Sequence, residues 1–165
     1  MAIGMSVKNF NYELQRDYLW EVILPDIGGA PGIDVGQLVQ SVRFGDYNVE
    51  EVRRIYYGGF RKGYVGFFEI PSITLSILGT VPDTAVSYFR TWKSLMISNS
   101  GLFYPKTNYA RDVYMTLLDQ GGNAVLKFKA QGVFPTTFPA YDLSYESGKV
   151  VQHEVTLNVD MLEIR

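Results

Sequence analysis

The sequence Gly132-Val133-Phe134-Pro135-Thr136, followed by Leu143-Ser144-Tyr145, leads into a long alternating run from Val150 to Leu162. On one side of that run lie the apolar residues Val151, Val155, Leu157, Val159 and Met161. On the other side lie the polar residues Gln152, Glu154, Thr156, Asn158 and Asp160. Alternation with a period of two predicts one strand with an apolar face and a wet face. We expect the apolar side to hold the domain together.

Several stretches upstream also have the pattern of strands. Strands are predicted at Tyr18–Leu24, Leu38–Phe44, Glu50–Tyr57 and Ser72–Leu78. The last of these alternates cleanly, with the polar residues Ser72, Thr74 and Ser76 against Ile73, Leu75 and Ile77. This alternation indicates a second half-buried strand with a wet face.

A hairpin is predicted over Arg111–Leu118 and Ala124–Val133, with its turn at the Gly-rich residues 119–123. Phe134-Pro135 is expected to end the second arm, because proline has no N–H to donate to a ladder. One helix is predicted from about Asp83 to Ile97, with Pro82 and Asp83 at its start. Its apolar stripe is Ala85, Phe89, Trp92 and Met96, which is typical of core packing.

The glycine- and aromatic-rich residues 45–66 are predicted to protrude as a loop or hairpin that docks on another surface. Glycine permits an unusual backbone there, and exposed aromatic side chains are costly in water. Residues 1–17 are weakly patterned and are interpreted as a mobile N-terminal arm. The whole chain, 1–165, is expected to form a single domain, since no linker or internal repeat divides it.

The composition fits a globular domain of 165 residues with 47% hydrophobic and 19% charged residues. A net charge of −2 gives no basic excess that would steer the chain to nucleic acid. The chain has no cysteine, which excludes disulfides and thiolate metal sites and is compatible with folding in a reducing cytoplasm. No signal peptide and no stable membrane insertion are expected, because apolar runs are short.

Residues that could carry enzyme chemistry are scarce. His153 is the single histidine, and its neighbours lack metal-ligand spacing, so we interpret it as a structural residue. The glycines form neither a phosphate-binding loop nor a nucleophile elbow. We therefore predict a protein that is not an enzyme and has no catalytic residue, metal or cofactor.

These elements together predict a mainly β (α+β) fold, an antiparallel β-sandwich or barrel with one packed α-helix. Two classes of function remain open at this point. The long half-wet strand favours a structural or assembly protein. The aromatic content of 15% also fits a monomeric β-barrel module that binds a small ligand or a carbohydrate.

The order of three motifs resembles the tail tube proteins of contractile bacteriophages, whose relatives are the tubes of phage-like injection machines and type VI secretion systems. The first motif is the ending quoted above. The second is Tyr56-Tyr57-Gly58-Gly59 followed by Ile70-Pro71-Ser72-Ile73-Thr74-Leu75, and the third is the helix with Trp92. The resemblance spans roughly residues 18–163. Phe134 replaces the tryptophan that is common before the proline.

The resemblance implies hexameric rings that stack into a hollow tube through which DNA or effectors pass. It implies partners in the sheath, baseplate and tail terminator, and a place in the virion tail after assembly in the bacterial host cytoplasm. The residues that would face the lumen are Ser72, Thr74, Ser76, Gln152, Glu154, Thr156, Asn158 and Asp160. The residues that would contact the next ring are Tyr56, Tyr57, Gly58, Gly59, Phe60, Arg61, Lys62 and Tyr64.

Overall fold

A computed structural model describes residues 17, 19–55, 58–146 and 148–165. This part of the chain contains nine strands and three helices. The strands are β1 (Trp20–Ile23), β2 (Val39–Arg43), β3 (Asn48–Ile55), β4 (Arg61–Glu69), β5 (Ile73–Leu78), β6 (Arg111–Leu118), β7 (Ala124–Thr137), β8 (Gln152–Asn158) and β9 (Met161–Ile164). The helices are α1 (Gly32–Gly36), α2 (Thr84–Met96) and α3 (Lys106–Tyr109).

Seven strands form one antiparallel sheet in the order β1-β6-β7-β8-β5-β2, with β9 also paired to β7. The first layer consists of β1, β6, β9 and the first half of β7. The second layer consists of β2, β5, β8 and the end of β7. Apolar residues of both layers join one core, so the fold is sandwich-like and not a closed barrel. The predicted antiparallel fold with a packed helix is confirmed.

The strand β7 connects the two layers by bending at Gly132. This glycine has φ +66°, and a Cβ added there would lie 2.4 Å from Asp160 Oδ2. Up to Val133 β7 pairs with β6 and β9, and from Phe134 onward it pairs with β8. The prediction that Phe134-Pro135 ends the strand is therefore wrong. Pro135 lies opposite Leu157 next to a register shift, where a strand tolerates a missing N–H.

The core between the layers is filled by alternating residues of the sheet and by one face of α2. In the second layer Ile73, Leu75, Ile77, Val155 and Leu157 are buried, as predicted. The buried residues of α2 are Ala85, Tyr88, Phe89 and Trp92. The helix begins at the predicted position, because the Asp83 carboxylate accepts a hydrogen bond from the Val86 N–H. The short helix α1 begins directly after Pro31, its N-cap residue.

The C-terminal run is two strands and not the predicted single one. The chain turns at residues 159–160, where the Asp160 N–H donates to the Gln131 carbonyl, and β9 then pairs with β7 in the first layer. The turn reverses the alternation. Leu162 is buried while the Met161 side chain is 52% exposed. Placing Met161 in the core was therefore wrong, and Leu162 occupies that position.

The substitution Leu157→Asp tests the assignment of the two faces of β8. The Leu157 side chain is fully buried, so a carboxylate there would lose its hydration without gaining a partner. We expect a loss of about 4 kcal/mol or more in the free energy of unfolding, measured by urea denaturation. The matched control Thr156→Asp places the same charge on the wet face and should cost about 1 kcal/mol or less. Equal losses for both variants would contradict the assignment.

Candidate assembly interface

The predicted lumen residues largely share the wet face of the second layer. Thr74 lies opposite Thr156, and Ser76 lies opposite Glu154, so these four side chains leave the same side of the sheet. Ser72 is exposed directly before β5, and Asn158 pairs with Phe134 at the end of β8. The Gln152 side-chain amide donates to Gln40 Oε1 at 2.7 Å.

Asp160 does not lie on the wet face with the other predicted lumen residues. It lies in the turn between β8 and β9, and its carboxylate forms an ion pair with Lys106 of α3. The same carboxylate packs against the bend at Gly132. Asp160 therefore has a structural contact that period-two reasoning on the C-terminal run did not foresee.

Two further residues of this face were missed by sequence reasoning. Ser41 of β2 lies opposite Ser76, and Arg43 of β2 lies opposite Thr74. The wet face of β2, β5 and β8 therefore combines uncharged polar side chains with one base, Arg43, opposite Thr74, and one acid, Glu154, opposite Ser76. The alternation of residues along β2 could have identified Ser41 and Arg43 as residues of the wet face. A bulge between Val39 and Ser41 interrupts that alternation.

The second layer has two edges in the described part of the chain. Strand β2 pairs only with β5, and the end of β7 from Phe134 to Thr137 pairs with β8. Thr136 and Thr137 are exposed at the second of these edges. Unpaired strand edges are templates for further strands.

Strands β3 and β4 form a separate hairpin that leaves the sandwich between β2 and β5. It corresponds to the predicted protruding segment 45–66, although β4 continues to Glu69. Its base is anchored where Tyr47 meets Phe68 edge-on and donates a hydrogen bond to the Leu162 carbonyl. On β4, Val65 and Phe67 have 78% and 82% of their surfaces exposed, beside a shift in the register against β3. Such an apolar surface is typical of an interaction site.

The structure places most of the predicted inter-ring residues on this hairpin. Gly58 and Gly59, which precede β4, have φ of +89° and +80°, and the neighbouring Phe60 is exposed. Arg61, Lys62 and Tyr64 are exposed residues of β4. Tyr56 and Tyr57 lie outside the described residues, as does the predicted N-terminal arm up to residue 16.

A second exposed surface lies at the opposite end of the second layer. We call residues 138–151, between β7 and β8, the β7–β8 loop. The loop leads into Gln152, which lies opposite Leu78 at the C-terminal end of β5. The β3–β4 hairpin joins the sandwich just before Ile73, at the N-terminal end of the same strand. Leu143, Tyr145 and Val150 are exposed in the loop, around a cleft of about 580 Å³.

The buried His153 fastens the start of this loop to helix α2. Its Nε2 lies 2.7 Å from Asp83 Oδ2, and its Nδ1 lies 3.2 Å from the Ala140 carbonyl oxygen. The Tyr141 ring packs edge-on against His153, and its hydroxyl donates to Asp83 at 2.8 Å. The Asp83 carboxylate and the Ala140 carbonyl both accept hydrogen bonds, so a ring N–H of His153 is the donor in these contacts. The interpretation of His153 as a structural residue is supported.

The Asp83 carboxylate is thus the centre of the network. Partial burial raises the pKa of Asp83, but hydrogen bonds from His153, Tyr141 and the Val86 N–H outweigh it and hold the pKa below its ordinary value. Asp83 was recognised in the sequence only as a helix start. Its pairing with His153 across 70 residues could not be read from local spacing.

The described residues contain no group of three or more His, Cys, Asp or Glu side chains arranged to hold a metal ion. Across the same residues, no helix has the length and apolar character to cross a membrane. The interior of the sandwich is occupied by large side chains such as Trp92, Tyr88 and Phe89.

The fold is that of the tubes and caps of contractile injection systems. A chain of the anti-feeding prophage cap, a tube terminating cap, matches with a TM-score of 0.65 and 19% identity over 98% of this chain and 99% of that one. A chain of the PVC sheath/tube terminator, from an extracellular contractile injection system, matches with a TM-score of 0.66 and 17% identity over 94% and 99%.

A chain of the PVC sheath-tube complex in the extended state matches with a TM-score of 0.64 and 17% identity, over 94% of this chain and 93% of that one. No protein-family model and no curated protein sequence matches the chain. At these identities the likeness is one of fold, and it spans nearly the whole chain.

Asp83→Asn tests the network around His153. Asparagine keeps the helix cap but removes the charge that accepts from His153, so we expect a loss of about 1.5–3 kcal/mol near neutral pH. The pKa of Asp83 is lower in the folded protein, so this stabilisation is present above the ordinary value of 3.8 and is lost as the pH falls through the folded pKa. Urea denaturation across pH measures it.

The exposed Asp34→Asn is the matched control and should change the free energy of unfolding by less than about 0.5 kcal/mol. An Asp83→Asn variant as stable as the wild-type protein near neutral pH would contradict the assigned role.

Proposed function

We propose that this chain is a structural subunit of the tube in a phage-type tail or injection machine, and is not an enzyme. The observation that carries the proposal is the second layer of the sandwich, which has one wet face and a strand edge at each side. Six copies form a ring, and the rings stack into a hollow conduit. The fold likeness to tube and cap chains supports this function.

Ring closure follows from the two edges. When β2 of one copy pairs with the end of β7 in its neighbour, each copy adds four strands to a continuous inner sheet. The two contacting surfaces differ, so the interface is head-to-tail around the ring and closes by rotation. Closure also removes the exposed edges that would otherwise promote aggregation.

In this ring the wet face lines the lumen. The predicted lumen residues of β5 and β8 then form a wall of mainly hydroxyl and amide groups, with one base, Arg43, and one acid, Glu154, in each copy. Each phosphate neutralised by a cation adds salt-dependent affinity for DNA. A wall with little net charge holds a passing polyanion weakly, which suits a conduit for DNA or effectors.

The β3–β4 hairpin provides the contact between rings in this proposal. Its exposed Phe60, Val65 and Phe67 gain a partner only when another molecule covers them. The sheath surrounds the tube, and the baseplate and tail terminator bind its two ends. The particle is the tail of a virion or a related machine, assembled in the bacterial host cytoplasm.

A terminating cap is a second candidate. It is favoured by the matches to the anti-feeding prophage cap and the PVC sheath/tube terminator, which cover the two known chains almost completely. A cap forms one ring and ends a tube, whereas a tube subunit continues it. The monomeric ligand-binding module has less support, because aromatic side chains fill the interior of the sandwich.

Electron microscopy of the purified protein tests the proposal. We expect six-fold rings, and stacked rings at higher protein concentration for a tube subunit. Single rings that bind only the end of a tube would identify a cap. A strictly monomeric protein that is also absent from purified tail particles would refute both candidates.

The double variant Val65→Lys/Phe67→Lys tests the role of the hairpin. Two charges at these exposed apolar positions would have to be desolvated in the contact, so we expect folded rings that no longer stack. Sedimentation separates rings from tubes. The control is Val125→Lys, which changes a 60% exposed apolar residue of β7 and should leave stacking intact. Normal tubes from the double variant would rule out the hairpin as the contact.

A further inference from the structure

Two connections of the chain pass along the outer edges of the first layer. Among the described residues β1 pairs only with β6 and β9 pairs only with β7, so each has one edge without a partner strand. We propose that α1 and the segment 44–47 cover these two edges, so that copies of the chain join through the second layer alone. This inference rests on the proposed function, and it assigns Gly36 and Tyr47 as the residues that determine which layer assembles.

The outer edge of β1 is covered by α1. The Leu118 N–H of β6 donates to the Leu19 carbonyl at 2.9 Å, and carbonyls alternate along a strand, so the Val22 carbonyl points to the opposite edge. A Cβ added at Gly36 of α1 would lie 2.9 Å from the Val22 carbonyl oxygen. Glycine therefore lets the backbone of α1 approach this edge more closely than a residue with a side chain could.

The loop between β1 and α1 holds the helix at this edge. Ile27 and Ala30 exchange backbone hydrogen bonds of 3.0 and 2.7 Å, which reverse the chain after β1. The Tyr88 hydroxyl of α2 donates to the Pro25 carbonyl in the same loop. Val35 of α1 is fully buried in the core. Moving α1 away from β1 would expose this side chain, so the cover is part of the folded domain.

The outer edge of β9 is covered by the segment 44–47, which connects β2 to β3. Lys127 of β7 and Arg165 exchange backbone hydrogen bonds, so by the same alternation the Leu162 carbonyl points away from β7. The Tyr47 hydroxyl donates to that carbonyl at 3.2 Å. It occupies an acceptor that a strand of another copy would need in order to pair with β9.

Two aromatic contacts hold this segment beside β9. Phe44 packs edge-on against Phe128, the residue of β7 that pairs with Ile164, with ring centroids 4.8 Å apart. Tyr47 packs edge-on against Phe68 of the hairpin, with ring centroids 5.6 Å apart. The position of the Tyr47 hydroxyl is therefore fixed by packing before any other copy arrives.

The order of the elements leaves the second layer different. The two connections leave opposite ends of β2, one from the edge of β1 and the other toward the edge of β9. Gln40 and Ser41 of β2 are exposed, as are Thr136 and Thr137 at the end of β7. Natural sheets block unwanted pairing by covering an edge with a helix or loop. Pairing through both layers would let copies add in two directions, which gives irregular aggregates in place of closed rings.

Hydrogen exchange followed by mass spectrometry tests which layer joins the copies. Dilute, unassembled protein is compared with rings of the same wild-type chain. We expect the amides of β2 and of residues 134–137 to exchange at least about tenfold more slowly in the rings, and those of β1 and β9 to keep their rates. Slower exchange of β1 or β9 in the rings would overturn this inference while the proposed function stands.

Removal of the two covers is the independent measurement. Gly36→Ala places a methyl group against the Val22 carbonyl, and Tyr47→Ala removes the donor to Leu162. We expect either variant to form irregular aggregates at a protein concentration about tenfold lower than the wild-type protein does, measured by light scattering and electron microscopy. The double variant should aggregate at a lower concentration still.

The matched controls change similar residues and leave the covers in place. Gly45→Ala adds a Cβ at an ordinary 3.6 Å from Pro71, and Tyr114→Ala removes an exposed tyrosine of β6. Both should behave as the wild-type protein. Tyr47→Phe keeps the ring contact with Phe68 and loses only the hydroxyl, so it tests the cover in a protein whose fold is checked by circular dichroism.

The outcomes separate this inference from the proposed function. Aggregation of folded Tyr47→Phe at a concentration between those of the wild-type protein and Tyr47→Ala would support the cover at β9. Folded Gly36→Ala and Tyr47→Phe variants that aggregate no earlier than their controls would overturn the inference and leave the tube function intact. Wild-type protein that forms no rings would remove both together.

Discussion

The bend of β7 at Gly132 is the constraint on which the rest of the structure depends. One strand serves two layers, because its first half pairs with β6 and β9 and its end pairs with β8. A side chain at residue 132 would meet the Asp160 carboxylate, and the left-handed backbone there favours glycine. The bend turns one sheet into two facing layers and thereby creates the core.

The same bend separates the two surfaces of the second layer. One face is buried against α2 and the first layer, while the other has uncharged polar groups with one base, Arg43, and one acid, Glu154. The hairpin and the β7–β8 loop project from opposite ends of this layer. A single chain therefore has a wet wall, two strand edges and two exposed ends. An assembly of many copies can use each of these features.

Sequence patterns predicted those elements whose burial follows a local period. The strand Ile73–Leu78, the helix with Trp92 and the alternation of Val155 and Leu157 were all visible, because one side of each meets the core. The patterns gave wrong predictions where pairing with a strand distant in sequence determines the conformation or the burial of a residue. Pro135 remains in a strand because it pairs with Leu157 of β8 next to a register shift. Met161 is exposed because the chain turns before β9 pairs with β7.

The sequence by itself determined the class of fold, the position of the main helix and the two faces of β5 and β8. Period-two and helical spacing are local properties, so neighbouring residues suffice to reveal them. Only the tertiary structure decided which edges of the sheet are free, how His153 meets Asp83, and that the hairpin and the β7–β8 loop lie at opposite ends. These relations depend on strand pairing between residues far apart in the chain, and pairing register is not encoded in any single segment.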